Sequence, residues 1–210
     1  MSDDLASTAF GLDDFVAATA VSRETRARLE TYATLLRQWQ SRVNLIGPAT
    51  YPDLWRRHFL DSAQLLPLLP ETPDGVADLG AGAGFPGLVL AIMGVAKVHL
   101  IESDGRKVAF LREVARITET PVTIHYKRIE AISDLAVSVV TARALAPLTR
   151  LLPWAVGLLA PGGQCLFLKG RQGEEELTAA HKDWNMRIDR LRSRSDPGGV
   201  IFRLSEISRV

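Results

Sequence analysis

Cysteine is almost absent from the chain: Cys165 is the only one. No internal disulfide can form, so the fold must stand on its hydrophobic core, and a reducing cytoplasm is the expected compartment. Long apolar runs are missing as well. The longest, LLPWAVGLLA at 151–160, is bounded by Arg150 and Pro161 and is too short to span a bilayer. The N-terminus lacks the base that a signal peptide carries; MSDDLAST offers Asp3 and Asp4 instead. Nor is there a strong charge of either sign, since the net charge is +1, and that value alone announces no nucleic-acid partner. What the 210 residues do hold is 47% apolar content, enough for one substantial domain plus an appended piece.

The charges are unevenly spread. Residues 1–20 contain Asp3, Asp4, Asp13 and Asp14 and no base, whereas 21–60 contain seven arginines against three acids. A second basic stretch is MRIDRLRSR at 186–194, where Arg190, Arg192 and Arg194 share one face of a strand by their alternation. Each cluster taken singly reads as a solvated face. The row of arginines on a strand serves equally well to contact RNA or to guard an edge against pairing.

Apolar spacing divides the chain in two. From Ser22 to about Val43 the residues Leu29, Tyr32, Ala33, Leu36, Trp39 and Val43 recur at helical intervals, with Ser22 placed as the cap. A second helical pattern spans about Pro52 to Leu66 and stops at Pro67 and Pro70. Residues 1–70 therefore form a helical N-terminal extension packed on the core. From 71 to 210 short apolar runs alternate with helix-length segments, which signals a parallel sheet covered by helices. The expected strands are Val76–Leu79, Val98–Glu102, Val122–Tyr126, Val137–Thr141 and Gln164–Leu168. The expected helices are Pro86–Gly94, Gly105–Thr118 and Leu148–Leu159. A polar helical stretch follows, and then two strand-like runs at 185–194 and 200–207 flank SDPGG as an antiparallel hairpin. The fold class is α/β, a Rossmann-like, seven-stranded and mainly parallel sheet that ends in an antiparallel hairpin. This is the layout of class I S-adenosylmethionine (SAM)-dependent methyltransferases.

The run VADLGAGAGFPGLVLA at 76–91 fits two fingerprints. From Gly82 it reads GxGxxG, a dinucleotide turn; from Asp78 it reads DxGxGxG, a SAM loop. Both need glycine where backbone approaches a ligand, and both use a carboxylate at the end of the next strand, here Glu102, to accept ribose hydroxyls. The ligands differ in charge. A pyrophosphate favours free N–H donors at a helix start, but Pro86 removes one there. The sulfonium and ammonium of SAM favour a carboxylate such as Asp78. The second register accounts for one more residue, so SAM is the expected cofactor.

With these motifs assembled, the chain resembles the bacterial 16S rRNA methyltransferase G family, also called glucose-inhibited division protein B. The resemblance rests on NLIG (44–47), RHFLDS (57–62), DLGAGAGFPG (78–87), Glu102-Ser103 with Arg106-Lys107 and Phe110-Leu111, Arg128-Ile129-Glu130, ARALAPL (142–148), and PGG followed by LKG up to Gly170. Ile46 and Thr141 depart from the family pattern, which usually has Thr and often Ser there. The resemblance implies a SAM-dependent enzyme that methylates guanine N7 in 16S rRNA near the decoding region. It also implies that Gly80 and Phe85 lie against SAM, that Ile129 and Glu130 meet its adenine end, and that Arg143 closes the site. The cofactor set is thus Asp78, Gly80, Gly82, Phe85, Glu102, Ile129, Glu130 and Arg143.

The residues agree with N7 chemistry by what they omit. Cys165 sits inside an apolar strand run and offers no nucleophile for C5 methylation of cytosine, and after the fourth strand Arg143-Ala144-Leu145-Ala146 lacks the Pro-Pro-aromatic of amino methylation. Guanine N7 already presents a lone pair, so no catalytic base is assigned. Arg57, His58, Lys169 and Arg171 are expected to border the acceptor cleft and hold RNA phosphate, with a helical Arg57–Asp61 ion pair as the bland alternative for the RHFLDS segment. His99, His125 and His181 lack metal-ligand spacing, so no metal is expected. The expected partner is 16S rRNA or the small subunit, for a cytoplasmic monomer with no membrane contact. The rival functions are an NAD-dependent oxidoreductase, a ribosome-binding protein that has lost catalysis, and a small-molecule methyltransferase.

Overall fold

A computed structural model describes residues 10–210, and Asp3 and Asp4 lie outside them. Its sheet has seven strands in the order β3-β2-β1-β4-β5-β7-β6. β1 (Val76–Leu79), β2 (Val98–Glu102), β3 (Thr123–Tyr126), β4 (Val137–Arg143) and β5 (Leu159–Lys169) are parallel. β6 (Trp184–Arg192) and β7 (Val200–Arg209) form the hairpin, and β7 pairs antiparallel with β5. The strand order reverses between β1 and β4, which opens a crevice at their carboxyl ends where such sheets take ligands.

The covering helices follow from the apolar spacing. α4 (Gly87–Ile92) is buried throughout, α5 (Gly105–Ile117) is capped by Asp104 accepting from Arg106 N–H, and α6 (Leu148–Val156) and α7 (Gly173–Ala180) cover the other face. Cys165 lies at zero exposure within β5, and burial pushes its thiol up, as a core role demands.

At the N-terminal end, Ser22 caps α2 (Arg23–Gln40) by accepting from Thr25 N–H, as the sequence predicts. A preceding helix, α1 (Leu12–Thr19), has no counterpart among the sequence-based expectations, because its eight residues bury only Phe15. The single helix expected over 52–66 is instead a string of different turns: a 3-10 turn at Pro48–Asp53, a π turn at Trp55–Leu60, the short α3 (Asp61–Ala63) and a 3-10 turn at Leu66–Leu68. Proline is the reason for the first break, since Pro52 withholds a donor. The wider π turn carries Asp61 N–H to Arg56 O and re-aims Arg57 and Asp61 away from each other.

These N-terminal elements share one core with the sheet. Phe15, Tyr32 and Phe59 are fully buried together with Phe110, and Tyr32 stacks on Phe85 of the glycine loop at 5.3 Å between ring centroids. Each such aromatic pair contributes about 0.5–1.5 kcal/mol beyond its buried area. The extension is thereby fastened to the loop that lines the crevice.

Candidate active site

Two buried carboxylates shape the glycine loop. Glu102, 8% exposed at the end of β2, accepts from Gly82 N–H at 2.9 Å and from Ser103 and Asp104 N–H at 2.7 Å. It lines a cleft of about 360 Å³ with Gly80, Ser103, Ile129, Glu130 and Arg143. Two carboxylate oxygens offer about four acceptor positions, so three backbone donors leave room for a hydroxyl from the cleft. Asp78 behaves differently from the expectation that it meets the charged end of the cofactor. It has zero exposure, and its oxygens accept from Gly87 N–H at 2.9 Å and from the Thr141 hydroxyl at 3.0 Å. Burial drives its carboxyl up to about 7, opposed by these two donors and by Arg143. Asp78 holds β1, β4 and the start of α4 together beneath the crevice, and Thr141 supplies the hydroxyl that a serine there would also supply.

The glycines divide by what they touch. Gly80 lines the smaller cleft with φ +61°, and a Cβ there would lie 2.5 Å from Leu145 Cδ1, so both the left-handed backbone and the close approach of Leu145 call for glycine. Gly84 and Gly87 serve packing instead: a Cβ would meet the Tyr32 hydroxyl at 2.6 Å in the first case and Asp78 Cβ at 2.7 Å in the second. The Tyr32 hydroxyl donates to Ala83 O, which ties α2 to the loop. Both fingerprints thus draw on glycines that answer to packing as well as to a ligand.

Arg143 ends β4 and is fixed on every side. Nη1 donates to Arg57 O at 2.8 Å and faces Asp61 Oδ2 at 3.3 Å, Nη2 lies 2.6 Å from His58 Nδ1, and the guanidinium sits 5.3 Å from the Phe85 ring centre. An arginine can only donate, so His58 Nδ1 accepts and the proton resides on Nε2. That N–H then donates to the Thr50 hydroxyl at 2.8 Å, which donates to Gly47 O at 2.8 Å. One directed chain runs from Arg143 to the NLIG loop. His58 is 5% exposed, and burial together with Arg143 and Arg57 lowers its pKa to about 3. It is a neutral positioning residue inside the wall rather than a contact for RNA phosphate.

The other expected phosphate ligands are also placed differently. Arg57 Nη1 pairs with Asp196 at 2.7 Å, across the chain, and not with Asp61. The Lys169 side chain is 7% exposed; Nζ donates to Ala146 O at 2.6 Å and pairs with Glu176 at 2.7 Å, so it lies in the wall of a cleft with one N–H left rather than at an open phosphate site. Arg171 is exposed, as an RNA contact requires. Of the hairpin arginines, Arg190 pairs with Glu174 at 3.0 Å, and Arg194 lies beyond the end of β6, donating to Gln64 Oε1 from its backbone and to Ala18 O from its side chain. They form no free row.

Beside the 360 Å³ cleft lies a larger one of about 510 Å³, lined by Arg57, Asp61, Lys169, Glu176, Ser195 and Asp196 among others. Arg143, Ala144, Leu145 and Ala146 line both and form the ridge between them. Asp61, Thr50, Glu176 and Asp196 escape the sequence-based reading of the site. Only Asp61, inside RHFLDS, carried a signal, and that signal pointed to the wrong arginine. His99 and His125 come together at 3.1 Å across β2 and β3, but among the described residues no group of three or more His, Cys, Asp or Glu could hold a metal ion. No helix among the described residues is long and apolar enough to cross a membrane.

Known proteins share this arrangement of elements. A crystal structure of a ribosomal protein L11 methylase from Lactobacillus delbrueckii subsp. bulgaricus matches with TM-score 0.56 at 19% identity, over 71% of this chain and 76% of that one. M. jannaschii TYW2 in complex with AdoMet matches with TM-score 0.54 at 15% identity, over 70% and 74%. At such identities the likeness establishes the fold, that of SAM-dependent methyltransferases. Sequence goes further. The Ribosomal RNA small subunit methyltransferase G of Paramagnetospirillum magneticum is 60% identical over 199 residues, covering 95% of this chain and 97% of that protein. A family model described as rRNA small subunit methyltransferase G matches residues 25–194. The chain belongs to the rRNA small subunit methyltransferase G family.

Proposed function

We propose that this chain is a SAM-dependent methyltransferase acting on guanine N7 of 16S rRNA in the cytoplasm. The observation that carries the reading is the pair of clefts on either side of the Arg143–Ala146 ridge at the sheet's switch point. The smaller cleft suits SAM. Glu102 offers acceptors for ribose hydroxyls, Ile129 offers an apolar surface for adenine with Glu130 at its rim, and Gly80 leaves backbone bare where a side chain would intrude. Phe85, stacked between Tyr32 and Arg143, lines a neighbouring space that shares Gly80 and Arg143 with this cleft. Bound there, SAM would supply an electrophilic methyl, its sulfur–carbon bond giving way to a bond from the N7 lone pair and its positive charge passing to the guanine ring.

Positioning is what the chain itself must provide. N7 carries no proton to remove, and the histidine nearest the ridge, His58, is held neutral with both nitrogens engaged. Arg143 cannot swing freely, because Arg57 O, Asp61 and His58 each hold it. The ridge that separates methyl donor from acceptor is therefore rigid. Arg57, which lines the larger cleft, and the exposed Arg171 remain as the candidate RNA phosphate contacts.

The test is methyl transfer from labelled SAM to small subunits taken from cells lacking this protein, with the product nucleoside identified by mass spectrometry. Label in 7-methylguanosine of 16S rRNA is the expected result. Label in another nucleoside, or none despite tight SAM binding, would remove the substrate assignment and leave the fold and cofactor standing.

A further inference from the structure

Three carboxylates line the larger cleft, and they differ in what remains free. Asp61 accepts from Arg143 on Oδ2 and from Ser195 and Gln64 on Oδ1. Asp196 accepts from Arg57 on Oδ2 and from Gly198 N–H on Oδ1. Glu176 spends only Oε2, on Lys169 Nζ at 2.7 Å and Leu148 N–H at 3.0 Å; among the described residues no hydrogen bond reaches Oε1. Its side chain is 22% exposed, so the cleft is where that oxygen can find a donor.

We propose that Lys169 and Glu176 together read the target base, a step that rests on the guanine reading above. Lys169 keeps one of its three N–H groups beyond Ala146 O and Glu176 Oε2, so the pair sets a donor beside an acceptor. Guanine shows the complement along one edge, the O6 acceptor beside the N1–H donor. Adenine shows the reverse, an amino donor beside an acceptor nitrogen, which would turn N–H toward ammonium and a lone pair toward carboxylate. Lys169 is also the link to the ridge, because Nζ donates to Ala146 O at 2.6 Å and Ala146 lines both clefts. In guanine, N7 neighbours O6 on the side away from N1. With N1–H at Glu176 and O6 at Lys169, N7 falls on the ridge side, toward the methyl donor. The same two residues thus account for base choice and for which nitrogen is presented.

The experiment uses the full chain and small subunits reconstituted with guanosine, inosine or 2-aminopurine at the acceptor position. Inosine keeps O6 and N1–H; 2-aminopurine lacks both, and all three keep N7. For the wild type, inosine should react within roughly 5-fold of guanosine and 2-aminopurine about 100-fold or more slowly, since unpaired polar groups in a built site penalise the wrong base heavily. Glu176→Gln keeps the acceptor for Lys169 and Leu148 but presents an amide donor toward N1–H. The guanosine to 2-aminopurine ratio in kcat/KM should then fall below about 10, with SAM affinity unchanged as proof of folding. A merely structural pair would slow every base alike and leave the ratio where it was, which would overturn the proposal. Equal use of 2-aminopurine and guanosine by the wild type would overturn it too. Failure to form 7-methylguanosine on the guanosine subunits would instead bring down the functional reading, and the base reader with it.

Discussion

The two clefts that meet at Arg143 are built in different ways. The side proposed for the donor draws on strand ends from the first half of the sheet: Gly80 after β1, Glu102, Ser103 and Lys107 after β2, and Lys127–Glu130 after β3. The acceptor side is side chains gathered from the whole chain, with Arg57 and Asp61 from the N-terminal extension, Lys169 and Glu176 from β5 and α7, and Ser195 and Asp196 from the hairpin turn. A cofactor common to many enzymes can be held by a local device. A particular base requires groups whose positions only the finished fold can set.

The sharpest test of that contrast lies on the donor side. Gly80→Asp should lower SAM affinity by at least about 100-fold in calorimetry, because it puts a side chain and a negative charge where the left-handed backbone faces the crevice. Gly87→Ala, seven residues on, should cost about 1–3 kcal/mol of stability by crowding Asp78 while SAM affinity in the folded fraction holds. If both changes weakened SAM equally, the division of the loop into ligand-facing and packing glycines would be wrong.

The acceptor side breaks in the opposite manner. Asp61→Ala removes the carboxylate shared by Arg143, Ser195 and Gln64 and leaves a guanidinium 18% exposed without its counter-charge. The expected loss is about 2–3 kcal/mol in urea unfolding and at least about 10-fold in methyl transfer, with SAM affinity within about 3-fold of the wild type. A parallel drop in SAM affinity would show that the Asp61–Arg143 contact supports the smaller cleft as well.

The same contrast explains what was legible in the sequence. Strand spacing makes the sheet legible, and the Ser22 cap and the hairpin turn are legible because their causes lie within a few residues. Glu102 was found because it sits 20 residues past Gly82 at a strand end. Asp78 is buried beneath the crevice, and a carboxylate beside glycines looks the same in sequence whether it faces ligand or supports α4 from beneath. Charge points to His58, Lys169 and Arg57 as phosphate contacts, whereas the fold engages the first two inside the wall and leaves Arg57 half-exposed in an ion pair. Their partners lie 85, 7 and 139 residues away, and the π turn that re-aims Arg57 leaves no mark in apolar spacing.

A subtler probe is pH. The folded chain refuses a proton on His58 until about pH 3, whereas the unfolded chain takes it near 6.5, so this residue's contribution to stability is lost as pH falls through that window. Asp78 works against it: the folded chain takes a proton at about 7 and the unfolded chain near 3.8, so stability from this group grows as pH falls. The wild type should therefore show little net slope from these two groups. His58→Asn keeps an acceptor for Arg143 and removes the first contribution only. Relative to the wild type, the variant should gain about 2 kcal/mol between pH 7 and pH 5 in urea unfolding. A difference that stays constant with pH would mean that His58 is not held neutral.

The smallest effect is expected where the acceptor side reaches solvent. Arg57 and Asp196 pair at 2.7 Å, yet their side chains are 40% and 36% exposed, and pairs so open to water are worth at most about 1 kcal/mol. Asp196→Asn keeps the oxygen that caps Gly198 N–H and should shift stability by about 0.5 kcal/mol or less. It frees the Arg57 guanidinium, so affinity for the small subunit should rise slightly, and more at low salt than at high. A loss above about 2 kcal/mol would show that the hairpin turn clamps the extension through this pair, rather than through the half-buried bonds of Ser195 to Asp61 and of Gln64 to Ser193 and Arg194.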